Sequence, residues 1–316
     1  MNADRPQPHP GILEAIRELG SLVNGEEAVE RIVSFAQLAI PHLEDLLLDC
    51  PPRTIALPRC RAVRALAELG AYPVLIRYFK RYVRPSDPAV LFAEDAVRSA
   101  AAQALALVHT DEIYNVLLEA AKLRATSGLV QALASFRRPE SVPLLFDLLE
   151  DDLCRADAIT ALQQVPEAAQ PYAILFLRGC TGAQQAGSCT LRRRRSALQL
   201  LAEFGIANSD WPEIRTYLHD EDLDCVISAA RIGFSAAPGY ATEEIVETLI
   251  EASSRMNWAQ EMETVELLDP RRLIAEKVAR TLARIRRNEG APVNWLSPFW
   301  RTLHHFLGNE ILQHER

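Results

Sequence analysis

The chain has 316 residues, of which 49% are hydrophobic, 24% charged and 7% aromatic, and its net charge is −8. This composition is typical of a folded protein and excludes a disordered chain. The acidic charge argues against a general nucleic-acid binder, because such binding needs a basic surface that displaces counterions. No apolar run approaches the ~20 residues that span a bilayer, and residues 1–10 lack the apolar segment of a signal peptide. We therefore predict a cytoplasmic protein that does not contact a membrane.

The chain begins with a polar segment that contains proline, and we predict that residues 1–10 are disordered. A capping helix is expected from Ile12 onwards. Leu and Ala supply most of the apolar content, and both favour helices. No convincing alternation of β-branched residues marks a strand. The sequence therefore predicts an all-α protein.

A short pattern recurs along the chain: an Arg, an Ala three residues later, and an Ala-Leu or Leu-Leu pair after another three. Its Leu markers are Leu66, Leu105, Leu133, Leu162 and Leu201, which are 39, 28, 29 and 39 positions apart. Residues at these offsets lie on one face of a helix. Small Ala side chains on that face allow a neighbouring helix to approach closely. Gly70 and Gly205 follow two of the copies and are predicted to end their helices with a left-handed residue.

Another helix is predicted before several of these copies. It begins with a proline, as at Pro41, Pro143 and Pro212, and an acidic turn follows it. The alternation resembles the HEAT-repeat family, whose motif is a proline-started first helix, a turn with Asp, and a second helix with an early Arg and Ala-x-x-Ala-Leu. The resemblance implies a right-handed α-solenoid of about six or seven helix pairs with terminal capping helices. We assign the solenoid to residues 11–290 and an aromatic C-terminal capping segment to residues 291–316.

The resemblance also implies that the turn Asp and the early Arg of the second helix support each other. The structural repeat arginines are then Arg59, Arg98, Arg155 and Arg194. For Arg59 and Arg155 the expected partners are Asp49 and either Asp151 or Asp152. Further arginines on second helices are candidate partner-binding residues, because second helices line the concave face of solenoids that this chain resembles. They are Arg61, Arg64, Arg192, Arg193, Arg195, Arg280 and Arg284. The alternative is that these arginines only follow the repeat pattern.

Three long turns interrupt the repeat, at residues 50–58, 82–91 and 178–190. All three are predicted between the two helices of a pair, so they project from one edge. Insertions on one edge of a repeat protein often form its binding edge. Tolerated insertion is the alternative, because long surface loops cost little free energy.

No catalytic, metal or cofactor site is predicted. The Gly-rich segment 179–188 has no Lys for a phosphate-binding loop. Cys180 and Cys189, like Cys50 and Cys60, are spaced too widely for a zinc site. Free thiols are favoured for both pairs, with a disulfide between Cys180 and Cys189 as the alternative. The array has no His-Glu dyads, which the HEAT-like di-iron hydroxylases use.

These features favour a non-enzymatic protein-interaction scaffold or adaptor, which binds an acidic protein surface or peptide on its concave face or loop edge. One alternative is a nucleic-acid-binding protein similar to the HEAT-like DNA glycosylases, with a basic concave groove. Another is a lyase or chaperone similar to the HEAT-repeat bilin lyases, which act on cofactor-bearing partners. The Ala-, Arg- and Leu-rich composition favours a bacterial source.

Overall fold

A computed structural model describes residues 9–180 and 190–236, together with residues 244, 245 and 248. The regular structure of this part is entirely helical, which confirms the all-α prediction for it. The α-helices are α1 Pro10–Glu18, α2 Gly25–Ser34, α3 Ile40–Glu44, α4 Leu57–Glu68, α5 Tyr72–Lys80, α6 Pro88–Ala106, α7 Asp111–Leu123, α8 Ser127–Phe136, α9 Val142–Asp147, α10 Arg155–Gln163, α11 Pro166–Cys180, α12 Leu191–Phe204, α13 Trp211–Ile214 and α14 Leu223–Ala236. Within the described chain, none of these helices has the length and apolarity to cross a bilayer.

The chain divides into two compact units, Met1–Ala169 and Gln170–Arg316. The boundary falls within α11, next to Pro171, which removes one helical hydrogen bond. The assignment of residues 11–290 to one array stays a prediction. The predicted capping segment, residues 291–316, lies outside the described residues. Of the predicted disordered residues 1–10, only His9 and Pro10 are described: His9 caps α1 and Pro10 begins it.

Side-chain caps fix where several helices begin. The hydroxyls of Thr110, Thr126 and Thr190 accept hydrogen bonds from backbone N–H groups in the first turns of α7, α8 and α12. The Asp87 carboxylate accepts from the N–H of Ala89 at 2.8 Å. It therefore starts α6 at Pro88, and the predicted long turn 82–91 ends at Asp87.

In the first unit, alternate helices form a row in which each helix packs against the next. Helices α2, α4, α6, α8 and α10 pack one against the next in that order, while α1 packs against α3 and α5 against α7. The recurring Ala and Leu residues lie in these contacts and are fully buried. They include Ala62, Leu66, Ala101, Leu105, Leu133, Ala158 and Leu162. The small side chains thus let the helices of this row approach closely, as the repeat pattern predicts.

Neighbouring helices of this row run parallel. Asp95 of α6 contacts Arg124 just before α8, and at the other end of both helices His109 lies 3.3 Å from the carbonyl of Ser135. The turns that lead into α2, α4, α6, α8 and α10 therefore lie on one side of the unit. We call this side the entry edge, formed by the turns 19–24, 49–56, 81–87, 124–126 and 151–154.

In the second unit, α14 packs against α12 and α13. The Tyr217 hydroxyl, between α13 and α14, donates to the carbonyl of Leu177 in α11 at 2.7 Å. Gly205 ends α12 with a φ of 74°. Gly70 after α4 has a φ of 68°, so both glycines adopt the positive φ that the sequence predicts. The ψ of Gly205, 171°, lies outside the left-handed helical region.

Candidate functional site

The four predicted structural arginines all lie in contacts between helices or with their turns. Arg155 donates to the carbonyl of Leu149 at 2.8 Å and pairs with Asp152, which confirms one expected pair. The Arg194 guanidinium lies 2.9 Å from the Asp220 carboxylate. Arg98 is completely buried and donates to the carbonyl of Ala120 at 2.8 Å.

The expected pair between Arg59 and Asp49 was wrong. Arg59 instead pairs with the buried carboxylate of Glu94 in α6 and donates to the carbonyl of Leu47 at 2.6 Å. The chain leaves α3 in a π-helical turn that directs the Leu47 carbonyl towards Arg59. Asp49 lies exposed at the end of this turn, 3.9 Å from Arg81.

Arg61 and Arg64 differ in their exposure. Arg61 is buried and donates to the backbone carbonyls of Leu19 and Ser21, at 2.8 and 2.5 Å. Its guanidinium is therefore not available at a surface. Arg64 is half-exposed and lies 2.6 Å from Glu26. Hydrogen bonds from Arg64 and Arg61 lower the pKa of the Glu26 carboxyl. Both predicted binding residues thus share the Glu26 carboxylate, and Arg64 also lies 3.6 Å from Glu68.

Arg192, Arg193 and Arg195 lie in the first turn of α12, in the second unit. Arg195 pairs with Asp222, and it also lies 3.3 Å from Asp224. Arg192 is exposed and Arg193 half-buried. Predicted residues Arg280 and Arg284 lie outside the described residues.

A cavity of about 260 Å³ opens on the entry edge of the first unit, between the turns 49–56 and 81–87. These turns are two of the three interruptions that the sequence singles out. The cavity is lined by Leu47, Leu48, Asp49, Cys50, Pro51, Pro52, Arg59, Tyr78, Arg81, Tyr82, Val83 and Glu94. The backbone is extended at Cys50, and Pro51 and Pro52, which follow it in the lining, restrict the backbone of this turn.

The floor of the cavity is a buried hydrogen-bonded group. The Tyr78 hydroxyl donates to one oxygen of Glu94 at 2.5 Å, while Arg59 donates to the other. Burial, and then the charge of Glu94, raise the pKa of Tyr78 well above its ordinary value. Tyr78 therefore stays protonated and keeps donating to Glu94. The arrangement holds Arg59 in a fixed position at the cavity wall.

Tyr82, which lines the cavity, contacts the buried Arg98, which lies outside the lining. The Arg98 guanidinium stacks over the Tyr82 ring. The buried hydroxyl of Tyr82 and the buried Nε of Arg59 have no hydrogen-bond partner among the described residues. Nε and Nη1 of Arg98 likewise have none within that part of the chain. Unpaired buried donors are rare in folded proteins and call for a water or a ligand.

Two buried arginines, Arg59 and Arg98, are thus accompanied by one buried carboxylate, that of Glu94, which pairs with Arg59. Sequence reasoning located the turns but missed Tyr78, Tyr82 and Glu94. One signal could have found Glu94: it occupies a helix face whose other residues, such as Val97 and Ala101, are apolar and buried.

A row of exposed large apolar side chains follows the entry edge. They are Leu22 and Val23 before α2, Ile55 before α4, Val83 before α6 and Phe92 in its first turns, Leu123 before α8, and Leu153 before α10. Each turn into a helix of the row therefore carries at least one, or, before α8, directly follows one at the end of α7. Away from this edge, the exposed large apolar residues described in the first unit are Leu38 and Leu107.

The described cysteines differ in their exposure and in whether they form a disulfide. Cys154 and Cys225 are free and buried. Cys50 is exposed and Cys60 half-buried, and both are free, as predicted for that pair. Cys180 is disulfide-bonded, so the prediction of a free thiol there was wrong. A cysteine spacing that is too wide for a zinc site does not exclude a disulfide. Across the described residues, no group of His, Cys, Asp and Glu is arranged to hold a metal ion.

No protein-family model matches this chain, and no curated protein does so either. Its function must therefore be argued from the entry edge and the cavity themselves.

Proposed function

We propose that this protein is a non-enzymatic interaction scaffold of HEAT-like repeats, which binds a segment of a partner protein along its entry edge. The single observation that carries the proposal is the apolar row described above. Soluble proteins rarely expose contiguous apolar patches, and those that do commonly use them for binding. Here the exposed apolar residues recur once or more at the start of each successive helix of the row.

The repeat architecture in this proposal is a right-handed α-solenoid of about six or seven helix pairs. Its support is the packing of α2, α4, α6, α8 and α10 one against the next, and of α1 against α3 and α5 against α7. In repeat proteins each unit contacts its neighbours in this way and presents equivalent positions at regular intervals.

The partner segment is extended and combines apolar with acidic residues. Packed helices lie about 8–10 Å apart. A polyproline-type segment places side chains on one face every third residue, roughly 9 Å apart, so it matches the spacing of successive turns. Near the cavity, Arg53 and Arg84 are exposed, with no ion pair to any residue that the structure describes. Acidic residues of the partner would pair with them.

The test is a display selection of random peptides on the immobilised full-length protein. Affinities of the selected peptides are then measured by titration calorimetry. We expect peptides with apolar residues at every third position and acidic residues among them. The edge variant carries Val83→Ser, Leu123→Ser and Leu153→Ser. It should bind at least about tenfold more weakly, because each buried apolar side chain contributes roughly 1.5 kcal/mol or more.

A matched control is Leu38→Ser with Leu107→Ser, since both residues are as exposed as the edge residues but lie elsewhere in the same unit. This variant should bind the selected peptides like the wild type. Selection without any common pattern, or an equal loss of affinity in both variants, would contradict the proposal. The nucleic-acid and lyase alternatives stay predictions, as does the cytoplasmic location.

A further inference from the structure

We propose that the cavity between the turns 49–56 and 81–87 is a binding site for a single carboxylate group. The inference rests on the cavity and its buried charges, and it does not require the apolar row to bind a partner. It goes beyond the proposed scaffold function because it assigns a ligand chemistry to one place.

The first argument is the balance of buried charge. Arg59 and Arg98 are 7% and 0% exposed, and Glu94 is 4% exposed. Glu94 already accepts from Arg59 and Tyr78, and Arg98 forms no ion pair with any described residue. An uncompensated charge in a protein interior is costly, so a bound anion would stabilise it. One negative charge matches the excess of one positive charge.

The second argument is the set of free donors. Tyr82 and Arg59 both line the cavity, and the buried Tyr82 hydroxyl and Arg59 Nε lack partners among the described residues. A carboxylate oxygen accepts such bonds, and bonds with a charged partner are the strong ones. Arg98 lies behind the Tyr82 ring and adds positive potential there.

The third argument concerns size and selectivity. A volume of about 260 Å³ exceeds the ~30 Å³ of one water several-fold and suits a small acid or one side chain. The Glu94 carboxylate lies in the cavity wall and would repel a second negative charge on the ligand. This favours a carboxylate over a doubly charged phosphate. Leu47, Leu48 and Val83 provide apolar contacts for the carbon chain beside it.

The carboxylate could belong to a small free acid or to a Glu or Asp side chain of a partner protein. Two probes distinguish these sources: butyrate, and a blocked peptide with one Glu between Leu residues. The matching peptide with Gln in place of Glu tests for the charge, and inorganic phosphate tests for selectivity. Binding to the full-length protein is measured by calorimetry.

We expect saturable binding of butyrate, of the Glu peptide, or of both, with little binding of the Gln peptide or phosphate. Tyr82→Phe keeps the stacked ring but removes the free donor, so affinity should fall about tenfold. Arg98→Met removes the excess charge and should reduce affinity at least as much. Arg138→Met is the control, because Arg138 also stacks on a tyrosine, but its partner Tyr114 does not line the cavity as Tyr82 does.

Arg98→Met has a second readout that a purely structural role would not give. Because the charge is uncompensated without ligand, the melting temperature of this variant should equal or exceed that of the wild type. If Arg98→Met does not fold, Tyr82→Phe still tests the site. Saturable binding of the Glu and Gln peptides with equal affinity would overturn the proposal. So would absence of binding by both carboxylate probes, or unchanged affinity in Tyr82→Phe.

Discussion

The guanidinium carbon of Arg98 lies 4.0 Å from the centroid of the Tyr82 ring, at a position that is fully closed to solvent. Its positive charge has no paired carboxylate among the described residues. Glu94 lies four residues earlier on α6 and so shares its helical face. In the described part of the chain, Glu94 is also the one buried carboxylate. The buried charges around the cavity therefore depend on a single acidic residue.

Glu94→Ala should be strongly destabilising. It leaves Arg59 without its ion pair and Tyr78 without its acceptor, while both remain buried. Removing one member of a buried ion pair typically costs about 3–5 kcal/mol of the free energy of unfolding. Urea denaturation followed by circular dichroism would measure this loss.

Glu112→Ala provides the comparison, because Glu112 pairs with Lys80 at 3.0 Å on an exposed surface. Exposed pairs contribute less than about 1 kcal/mol. Similar losses in the two variants would show that the group of Arg59, Tyr78 and Glu94 is not a stabilising element.

Gly128→Ala should destabilise the contact between α6 and α8. A Cβ at Gly128 would lie 2.5 Å from the Cβ and 2.7 Å from the Cα of Ser99. The backbone of α6 would have to move, and overpacking of this kind typically costs about 1–3 kcal/mol. The higher helix propensity of Ala offsets less than about 1 kcal/mol of this. Thermal denaturation would record a lower melting temperature.

Gly20→Ala is the matched substitution, since its nearest neighbour would be Pro58 Cγ at 3.4 Å, an ordinary contact. Its melting temperature should be close to that of the wild type. A Gly128→Ala protein as stable as Gly20→Ala would disprove the close approach of α6 and α8.

Cys154 and Cys225 should resist alkylation in the folded protein. Burial, and then nearby Asp residues, raise the pKa of Cys154 to about 11, and burial with Asp220 raises that of Cys225 to about 12. The reactive thiolate is therefore scarce near pH 8. Iodoacetamide labelling followed by mass spectrometry should modify the exposed Cys50 first. Comparable labelling of Cys154 and Cys50 in the native state would contradict this burial.

The same raised pKa values predict a loss of stability in alkali. The folded state holds these thiol protons more tightly than the unfolded state, whose cysteines titrate near pH 8.5. The contribution is complete below that pH and is lost as the pH rises towards about 11–12. Replacing both Cys154 and Cys225 with Ala should reduce the slope of unfolding free energy against pH in this window, measured by urea titrations at each pH.

Asp222→Asn should weaken the acid sensitivity of the second unit. Burial acts to raise the pKa of Asp222, but hydrogen bonds from Arg195 and from the backbone N–H of Cys225 outweigh it and hold the pKa below its ordinary value. The stability that this provides is present above the unfolded pKa of about 3.9 and lost at lower pH. The wild type should therefore lose more stability than the variant as the pH falls below about 4. Parallel pH profiles of the two proteins would refute this assignment.

The sequence predicted those features that recur. The burial of Ala101 and Leu105 follows from a pattern repeated in other copies. Glu94 and Tyr82 occur once, and their partners lie in other helices, so no local pattern announces them. Arg61 was misjudged for a related reason. On a helical projection it resembles a surface residue, but the carbonyls that bury it belong to the turn before α2.

The ion pairs between helices also bear on how the chain folds. Where such an ion pair includes a hydrogen bond between one helix pair and the next, the two described residues lie 26 to 35 positions apart in the sequence. Contacts of such short sequence separation require no distant loop closure, and proteins that rely on them fold rapidly. In the first unit each new helix can therefore dock on the ones already formed. We expect this unit to acquire its structure progressively from the N-terminus as the ribosome releases it.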